Sequence, residues 1–472
     1  MKVALVVPTK KLRPKEATCV PFGIAYIASY LKKEIPSCEV TIIDATLGHN
    51  VTRRLFNFQP DIVGVTASTS QILDAYNLGD MLLRNRPDIL TIIGGVHVSA
   101  LPYEAIRHFD CVVVGDGELV FVKIVKALIN GKRCRGIIHG KPVEDLNTLP
   151  IIDYDSLDVK EYIKRGVDLP LLPNPCMDMI TSRGCPYHCV FCRNSNQTTK
   201  VRYVSAEKIT QEILLLHNKF GITTFYFGDD EFLVNVQRLK ELNVLFHKHN
   251  ITRWIKWGCQ ARSQTCTLET LGLAKDTGCK LISIGLESGC ERILNYLKCG
   301  TTTLADNELA LENCAKVGII AGGNFIYGVF DQTLEEMRES FNWIKKQKHL
   351  SFASSGVLIP YPATETWRRS QELKLLPDKV DYSRLILTYF VKDTYLLNQV
   401  VPINVFAKFM INTARMSRLY AKRNHLKTLW NFTAAMCKRP VFYWAWLFHP
   451  LQMINITFRR KKIELECWSL HK

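Results

Sequence analysis

Short apolar runs closed by a glycine or an acid, with helical stretches between them, recur along most of this chain. Val3–Val7 stops at Pro8, Val40–Ile43 at Asp44, and Ile62–Thr66 precedes a polar turn. Leu90–Ile93 runs into Gly94-Gly95, and Cys111–Val114 into Gly115-Asp116-Gly117. Apolar residues at helical spacing fill Phe22–Lys33 and Leu73–Arg84. Uninterrupted apolar runs are the mark of parallel strands covered on both faces. The alternation predicts an α/β fold whose residues 1–130 form a Rossmann-like, doubly wound domain. Such sheets bind ligands at the carboxyl ends of their strands, where these glycine turns fall.

Residues 131–175 are rich in Gly, Pro and Asp and read as a linker. A second series starts at Met177–Thr181 and continues through Thr224–Phe227, Trp254–Gly258, Leu281–Gly285, Gly322–Tyr327 and Ser355–Ile359. Strand and helix units of this number over residues 176–365 predict a partial (β/α)6 barrel instead of the usual eight-stranded one. Residues 366–472 read as a helical C-terminal region. The opening MKVALVVPTK is a short strand pattern without the apolar core of a secretory signal, which predicts a reducing, cytoplasmic setting.

Most of the sixteen cysteines stand singly in apolar segments. Cys185, Cys189 and Cys192 do not: Gly184-Cys185-Pro186-Tyr187-His188-Cys189-Val190-Phe191-Cys192 has the form CxxxCxxC just after a predicted strand. Three thiolates on one tight loop can hold three irons of a cubane and leave the fourth without a protein ligand. That open corner can take the amino and carboxylate groups of S-adenosylmethionine (SAM). One electron from the cluster then breaks the sulfonium carbon–sulfur bond and releases a 5′-deoxyadenosyl radical. Zinc would call for four ligands and commonly a CxxC pair, and no second pair follows.

The loop resembles that of the radical SAM superfamily. The resemblance implies SAM contacts at four further strand ends. Gly228, Asp229, Asp230 and Glu231 stand where the family has a Gly-Gly-Glu-type turn for the SAM ammonium, with Asp229 in place of the second glycine. Arg262 would pair with the SAM carboxylate, Glu287 and Ser288 would face SAM, and the strand holding Asn324 would pack against the adenine. The N-terminal half resembles the cobalamin-binding group of that superfamily, through Pro21–Leu31, Gly64–Thr66, Gly94–His97 and Gly115–Glu118. Together the match spans roughly residues 1–365. It implies a cobalamin-binding-type first domain, with Thr46, Ser68, Thr69, Gly94, Gly95, Gly115 and Glu118 around the cofactor. One departure stands out: Asp44-Ala45-Thr46-Leu47-Gly48 replaces the Asp-x-His-x-x-Gly turn that supplies a lower cobalt ligand in domains of the methionine-synthase type. His97 is a possible substitute, although a histidine after two glycines is more often a loop residue. A Rossmann-like fold without ligand is the alternative for this domain.

The net charge of +17 is uneven: Thr394 to Ile463 holds no acid and twelve basic residues. This suggests an anionic partner. Val441–Phe448 is aromatic and flanked by bases, but Pro450 interrupts the apolar run, which excludes a continuous span of about 20 residues. It suits an interfacial anchor at a membrane surface, or a helical cap with a solvated basic face. Nucleic acid is disfavoured because no binding module is present.

These readings describe a cytoplasmic radical SAM enzyme, peripheral to the membrane if the anchor holds. It would use a 4Fe-4S cluster, SAM and cobalamin to C-methylate an unactivated carbon of a hydrophobic substrate. A reductase, flavodoxin or ferredoxin would supply electrons. A radical cyclase or rearrangement enzyme, and a non-catalytic metal-binding peripheral membrane protein, remain as alternatives. A methylthiotransferase would need a second cysteine triad in the first domain, and Cys19, Cys38 and Cys111 are too far apart in sequence.

Overall fold

The computed structural model describes residues 1–9, 19–165, 172, 175–196, 200–386 and 393–416. Two six-stranded parallel sheets dominate it. The first contains β1 (Lys2–Val7), β2 (Glu39–Asp44), β3 (Ile62–Thr66), β4 (Leu90–Gly94), β5 (Cys111–Val114) and β6 (Gly136–His139), in the order β2-β1-β3-β4-β5-β6. Leu5 sits in register with Ile42 on one side and Gly64 on the other. The order reverses between β1 and β3, so successive helices pack on opposite faces and a crevice opens at the carboxyl ends there.

β6 lies in the stretch read from sequence as a linker, and that reading is corrected. It is four residues long, opens on Gly136, and has three half-buried residues and an exposed His139, too short and too weakly apolar to signal a strand. Described residues further along this stretch, a partner of Asp44 among them, are tied to the two sheets and their helices. Lys32 Nζ meets Asp153 at 2.7 Å, Tyr162 Oη donates to Asp44 at 2.5 Å, and Tyr154 Oη donates to Glu212 at 2.6 Å.

The second sheet contains β7 (Cys176–Met179), then, past a small hairpin, β10 (Thr224–Phe227), β11 (Lys256–Ala261), β12 (Cys279–Glu287), β13 (Ile320–Tyr327) and β14 (Leu350–Val357). The hairpin is β8 (Ser182–Arg183) against β9 (Arg202–Tyr203), antiparallel. The six parallel strands neighbour one another in chain order, as in a partial barrel. β14 begins five residues before the predicted Ser355, because serines on both faces, Ser351 and Ser354, break up the apolar signal of its first residues.

The chain then folds back. Trp367, Tyr382 and Leu385 join the core of the first sheet, and Phe406 lies 3.0 Å from where a Cβ on Gly328 would stand. Residues 403–416 are helical. The basic aromatic segment read as an anchor lies outside the described residues. Among the described residues no helix is long and apolar enough to cross a membrane.

Candidate active site

The cysteine loop is the turn of the β8–β9 hairpin, entered through Gly184 at φ +96°, a conformation that favours glycine. Its middle is anchored. Val190 N donates to Leu297 O at 3.2 Å, and Val190 O accepts from Thr366 N and Oγ1, both at 3.1 Å. Val190 is buried with Ile293, Leu297, Phe330 and Leu358. Cys192 N donates to Cys189 O at 3.0 Å, closing the CxxC turn. The three thiols are part-exposed. Burial pushes the Cys185 thiol up to about 11, a penalty that iron coordination would offset by fixing the thiolate. Among the described residues no three His, Cys, Asp or Glu side chains converge as on a single ion. A cubane takes each thiolate on a different iron. Three thiols on one anchored loop are the donor set that this cluster needs.

Arg262, at the end of β11, departs from the expected role. Nη1 donates to Cys189 Sγ at 3.4 Å, Nη2 donates to Thr301 and Thr302 Oγ1, and the guanidinium stacks 4.0 Å from the Tyr187 ring centre. Its fork is engaged with the cysteine loop, so it buttresses the cluster position instead of standing free for a carboxylate. A cationic donor against a thiolate suits an anionic iron–sulfur group.

The turn after β10 divides its four residues. Asp229 is 1 % exposed and its carboxylate is saturated: Thr181 N at 2.5 Å, Thr181 Oγ1 at 2.6 Å, Ser182 Oγ at 2.7 Å and Arg238 Nη2 at 3.3 Å. It ties the end of β7 to the end of β10 and has no capacity left for a ligand. Asp229→Ala would leave Arg238, 3 % exposed, as an uncompensated charge. The expected loss is about 3–5 kcal/mol of stability. Denaturant unfolding checks it, and a loss below about 1 kcal/mol would contradict the assignment.

Glu231, two residues on, is buried, and its Oε1 accepts from Thr265 Oγ1 at 2.9 Å. Burial pushes its carboxyl up to about 7. Hydrogen bonds from Thr265 and from the backbone of Arg262 and Leu233, with the charge of Lys298, do not offset that burial, so a cationic ligand such as an ammonium would be stabilised there. The linkage has a definite sign. The unfolded chain ionises Glu231 near the ordinary value while the folded chain keeps the proton, so stability falls as pH rises from about 4.5 to about 7. For the metal-free chain, the stability of Glu231→Gln relative to the parent should rise by about 2–3 kcal/mol across that window. Urea unfolding at several pH values reads this, and parallel curves would contradict it.

At the end of β12, Glu287 adopts φ +57°, and the register with β13 slips between Gly285 and Glu287. Its Oε1 pairs with Lys298 Nζ at 2.9 Å. A Cβ on Gly285 would strike both partners, at 2.5 and 3.0 Å, so this glycine makes room for the ion pair. Strain in a non-glycine residue at a strand end is typical of functional positions. Ser288 does not share the site: its Oγ lies 2.8 Å from Ser340 Oγ and accepts from Cys290 N at 3.0 Å. That corrects the expectation for Ser288. Asn324 Nδ2 donates to Ser283 Oγ on the neighbouring strand β12 at 3.0 Å. Lys298 carried no signal in the sequence, because a lysine near a helix C-terminus is ordinary.

Between the carboxyl ends of the two sheets lies a cavity of ≈ 350 Å³. Gly94, Gly95, Gly115 and Glu118 line it from the first sheet, and Ser182, Arg183, Gly228 and Asp230 from the second. Its slot into the first sheet exists because Gly64 has no side chain: a Cβ there would lie 2.8 Å from both Leu5 and Phe121. Gly95 (φ +106°) runs so close to Ala67 that a Cβ would stand 2.7 Å from Ala67 O. Glu118 is 2 % exposed; Oε1 accepts from Arg183 Nη2 at 2.6 Å, while Oε2 has no partner among the described residues. A flat glycine-lined face with a slot behind it and a buried orphan acceptor fits a large amide-bearing macrocycle. Three expected residues are not brought there. Thr46 binds Asp44 Oδ1 through N at 2.8 Å and Oγ1 at 2.6 Å, Ser68 Oγ donates to Gln71 Oε1 at 2.7 Å, and Thr69 Oγ1 pairs with His97 Nδ1 at 3.2 Å. His97 itself is 1 % exposed and packs edge-on against Tyr382, while its neighbour Val96 lines the cavity.

Arg183 and Arg202, which the sequence did not single out, brace the cysteine hairpin against the first sheet. Arg183 meets Asp116 at 3.4 Å as well as Glu118, and Arg202 meets Asp116 at 2.5 Å.

Comparison with known proteins agrees with this geometry. The model of the Radical SAM superfamily matches residues 179–344, and that of the B12 binding domain matches residues 15–125. An uncharacterized methyltransferase of Pyrococcus horikoshii is 32% identical over 392 residues, covering 78% of this chain and 82% of that protein. The bacteriochlorophyllide d C-8(2)-methyltransferase of Chlorobaculum tepidum is 25% identical over 71% of this chain and 77% of its own. The fold is shared with the radical S-adenosylmethionine methyltransferase TsrM of Kitasatospora setae, solved with cobalamin and a [4Fe-4S] cluster, at a TM-score of 0.62 and 19% identity over 79% of this chain and 75% of that one.

Proposed function

Since this chain belongs to the radical SAM superfamily and carries a B12 binding domain ahead of its radical SAM domain, we propose that it C-methylates an unactivated carbon. The observation that carries this is the placement of both sites at one opening. The anchored cysteine loop and the glycine-lined cavity meet along Ser182, Arg183 and Gly184. Once bound, the cluster supplies the electron that cleaves SAM, and cobalamin carries the methyl group.

The chain's own residues position and insulate. Cys185, Cys189 and Cys192 would hold three irons, with Arg262 donating to the sulfur of Cys189. Glu231 would accept the SAM ammonium, which returns its carboxyl to the ionised form. The Glu287–Lys298 pair would offer one carboxylate and one ammonium beside the SAM polar end. Gly228 and Asp230 would border SAM on the cavity side, and Asn324 would border the adenine. Gly94, Gly95, Gly115 and Glu118 would carry the corrin, and the ion pairs of Arg183 and Arg202 would fix its distance from the cluster.

The reaction requires a low-potential electron donor, of flavodoxin or ferredoxin type, and free thiols, which fits a reducing cytoplasm. Methyl transfer and ring closure separate by their products. Methyl transfer consumes SAM in two ways and yields S-adenosylhomocysteine together with 5′-deoxyadenosine. Radical cyclisation or rearrangement yields 5′-deoxyadenosine alone. Anaerobic incubation of the reconstituted enzyme with SAM, a reductant and excess cobalamin should give both products, with the added reduced cobalamin as the methyl acceptor when no carbon substrate is present. Deoxyadenosine without S-adenosylhomocysteine would overturn the methyl-transfer reading.

A further inference from the structure

The inner face of the partial barrel is polar. Paired residues of parallel strands point to the same side, and alternate residues to opposite sides. Asp178 pairs with Tyr226, Tyr226 with Gly258, Gln260 with Ser283, Gly285 with Asn324, and Asn324 with Ser354. One face therefore presents a carboxyl, a phenol, two amides and two hydroxyls. Gln260 is exposed and the other five are half-buried, whereas the residues between them, such as Met179, Phe227, Cys259 and Ile284, are buried. A barrel interior is ordinarily packed solid with branched apolar side chains. Here that layer is replaced by polar groups that already pair among themselves and with their surroundings: Asn324 donates to Ser283, Tyr226 and Gln260 share a hydrogen bond, and Cys19 bonds to Asp178.

Space is built in as well. Gly258 and Gly322 interrupt the inner face. The Phe352 ring lies across Gly322, 1.9 Å from where a Cβ would stand, and Leu172 approaches Gly258 to 3.2 Å. Together they form an apolar floor under a polar wall.

The charge of the wall is one-sided. Asp178 is its one acid, and desolvation pushes its carboxyl up, with a hydrogen bond from Cys19 as the opposing influence. No lysine or arginine belongs to the row. Lys298, at the mouth, is paired with Glu287. Lys256 shares the face of Gly258 but stands exposed at the amino end of β11, away from the mouth.

Building on the function proposed above, we propose that this row is the substrate-binding wall and that the substrate is a neutral or cationic amphipathic compound. Its hydroxyl or amine donors meet Asp178 and the amide of Gln260, and its hydrocarbon part lies on Phe352 and Leu172, while Asn324 stays with the SAM side of the row. Phosphate esters and nucleotides are excluded, because nothing on the wall balances their charge.

Three probes of equal hydrocarbon size test this on the SAM-loaded holoenzyme by saturation-transfer NMR: cyclohexylmethylamine, cyclohexylmethanol and cyclohexylmethyl phosphate. The amine and the alcohol should bind and the phosphate should not. Asp178→Asn should weaken the amine about tenfold, the scale of a hydrogen bond to a charged group. Gln260→Leu, at an exposed position, should weaken the alcohol about fivefold and provides a second arm should the first variant fail to fold. Phosphate binding as tight as that of the amine, unaltered amine binding in Asp178→Asn, or no binding by any probe would overturn the proposal. Deoxyadenosine formation by the unaltered enzyme separates the two readings. With cleavage present and the binding pattern wrong, the wall alone is refuted; with cleavage absent, the enzymatic reading falls too.

Discussion

Alanine at Cys189 removes the cluster and all formation of 5′-deoxyadenosine. A cubane on three thiolates has no spare protein ligand, so losing one leaves two irons without anchorage. Cys189 is held by its surroundings: Arg262 donates to its sulfur, and its carbonyl accepts from Cys192 N. The substitution therefore also removes the acceptor that Arg262 faces. Iron should fall from about four per chain to background, with loss of the near-ultraviolet and visible absorption. Cys299 is the informative control. It is exposed, its Sγ donates to His188 O at 2.9 Å beside the loop, and it lies outside the motif. Cys299→Ala should keep its iron and its SAM cleavage. Iron retained in Cys189→Ala would refute the ligand assignment.

Tryptophan at Gly94 empties the cobalamin site without unfolding the domain. Gly94 ends β4, lines the cavity, and has a backbone that any residue tolerates. A Cβ there would meet nothing nearer than Val113 O at 3.6 Å, an ordinary contact. The indole then has the cavity as its space, so cobalt content should drop by about tenfold or more while iron content and Tm stay near those of the parent. The adjacent position behaves in the opposite way. Gly95 has φ +106° and ψ 177°, a region essentially closed to side chains, and its Cβ would press on Ala67 backbone atoms. Gly95→Ala should cost about 2–3 kcal/mol of stability, through strain instead of blockage. Undiminished cobalt binding by folded Gly94→Trp would show that the cofactor lies elsewhere.

What could be read in the sequence was what depends on local pattern. The apolar runs of β1, β3, β4 and β5 and the CxxxCxxC spacing are contiguous, and the structure places them as those runs imply. The strands whose inner faces are polar or short were harder. β6 has three half-buried residues and an exposed His139, and β14 carries serines on both of its faces. At the site, a strand-end position was legible but the direction of its side chain was not. Asp229 and Ser288 occupy the expected turns, yet each is consumed by a partner distant in sequence, Thr181 in one case and Ser340 in the other. Arg262 was singled out, and its partner Cys189 lies 73 residues away. Lys298, Arg183 and Arg202 acquire meaning only when the fold brings an acid to them.

The vacant fourth iron is tested most directly by electron paramagnetic resonance of the reduced, reconstituted enzyme before and after addition of SAM. Binding of the SAM amino and carboxylate groups to that iron should shift the cluster's g values, and Cys189→Ala should show neither the signal nor the shift. A reduced cluster whose spectrum is indifferent to SAM would mean that every iron is already held by the protein, and the radical SAM chemistry assigned to this loop would be contradicted.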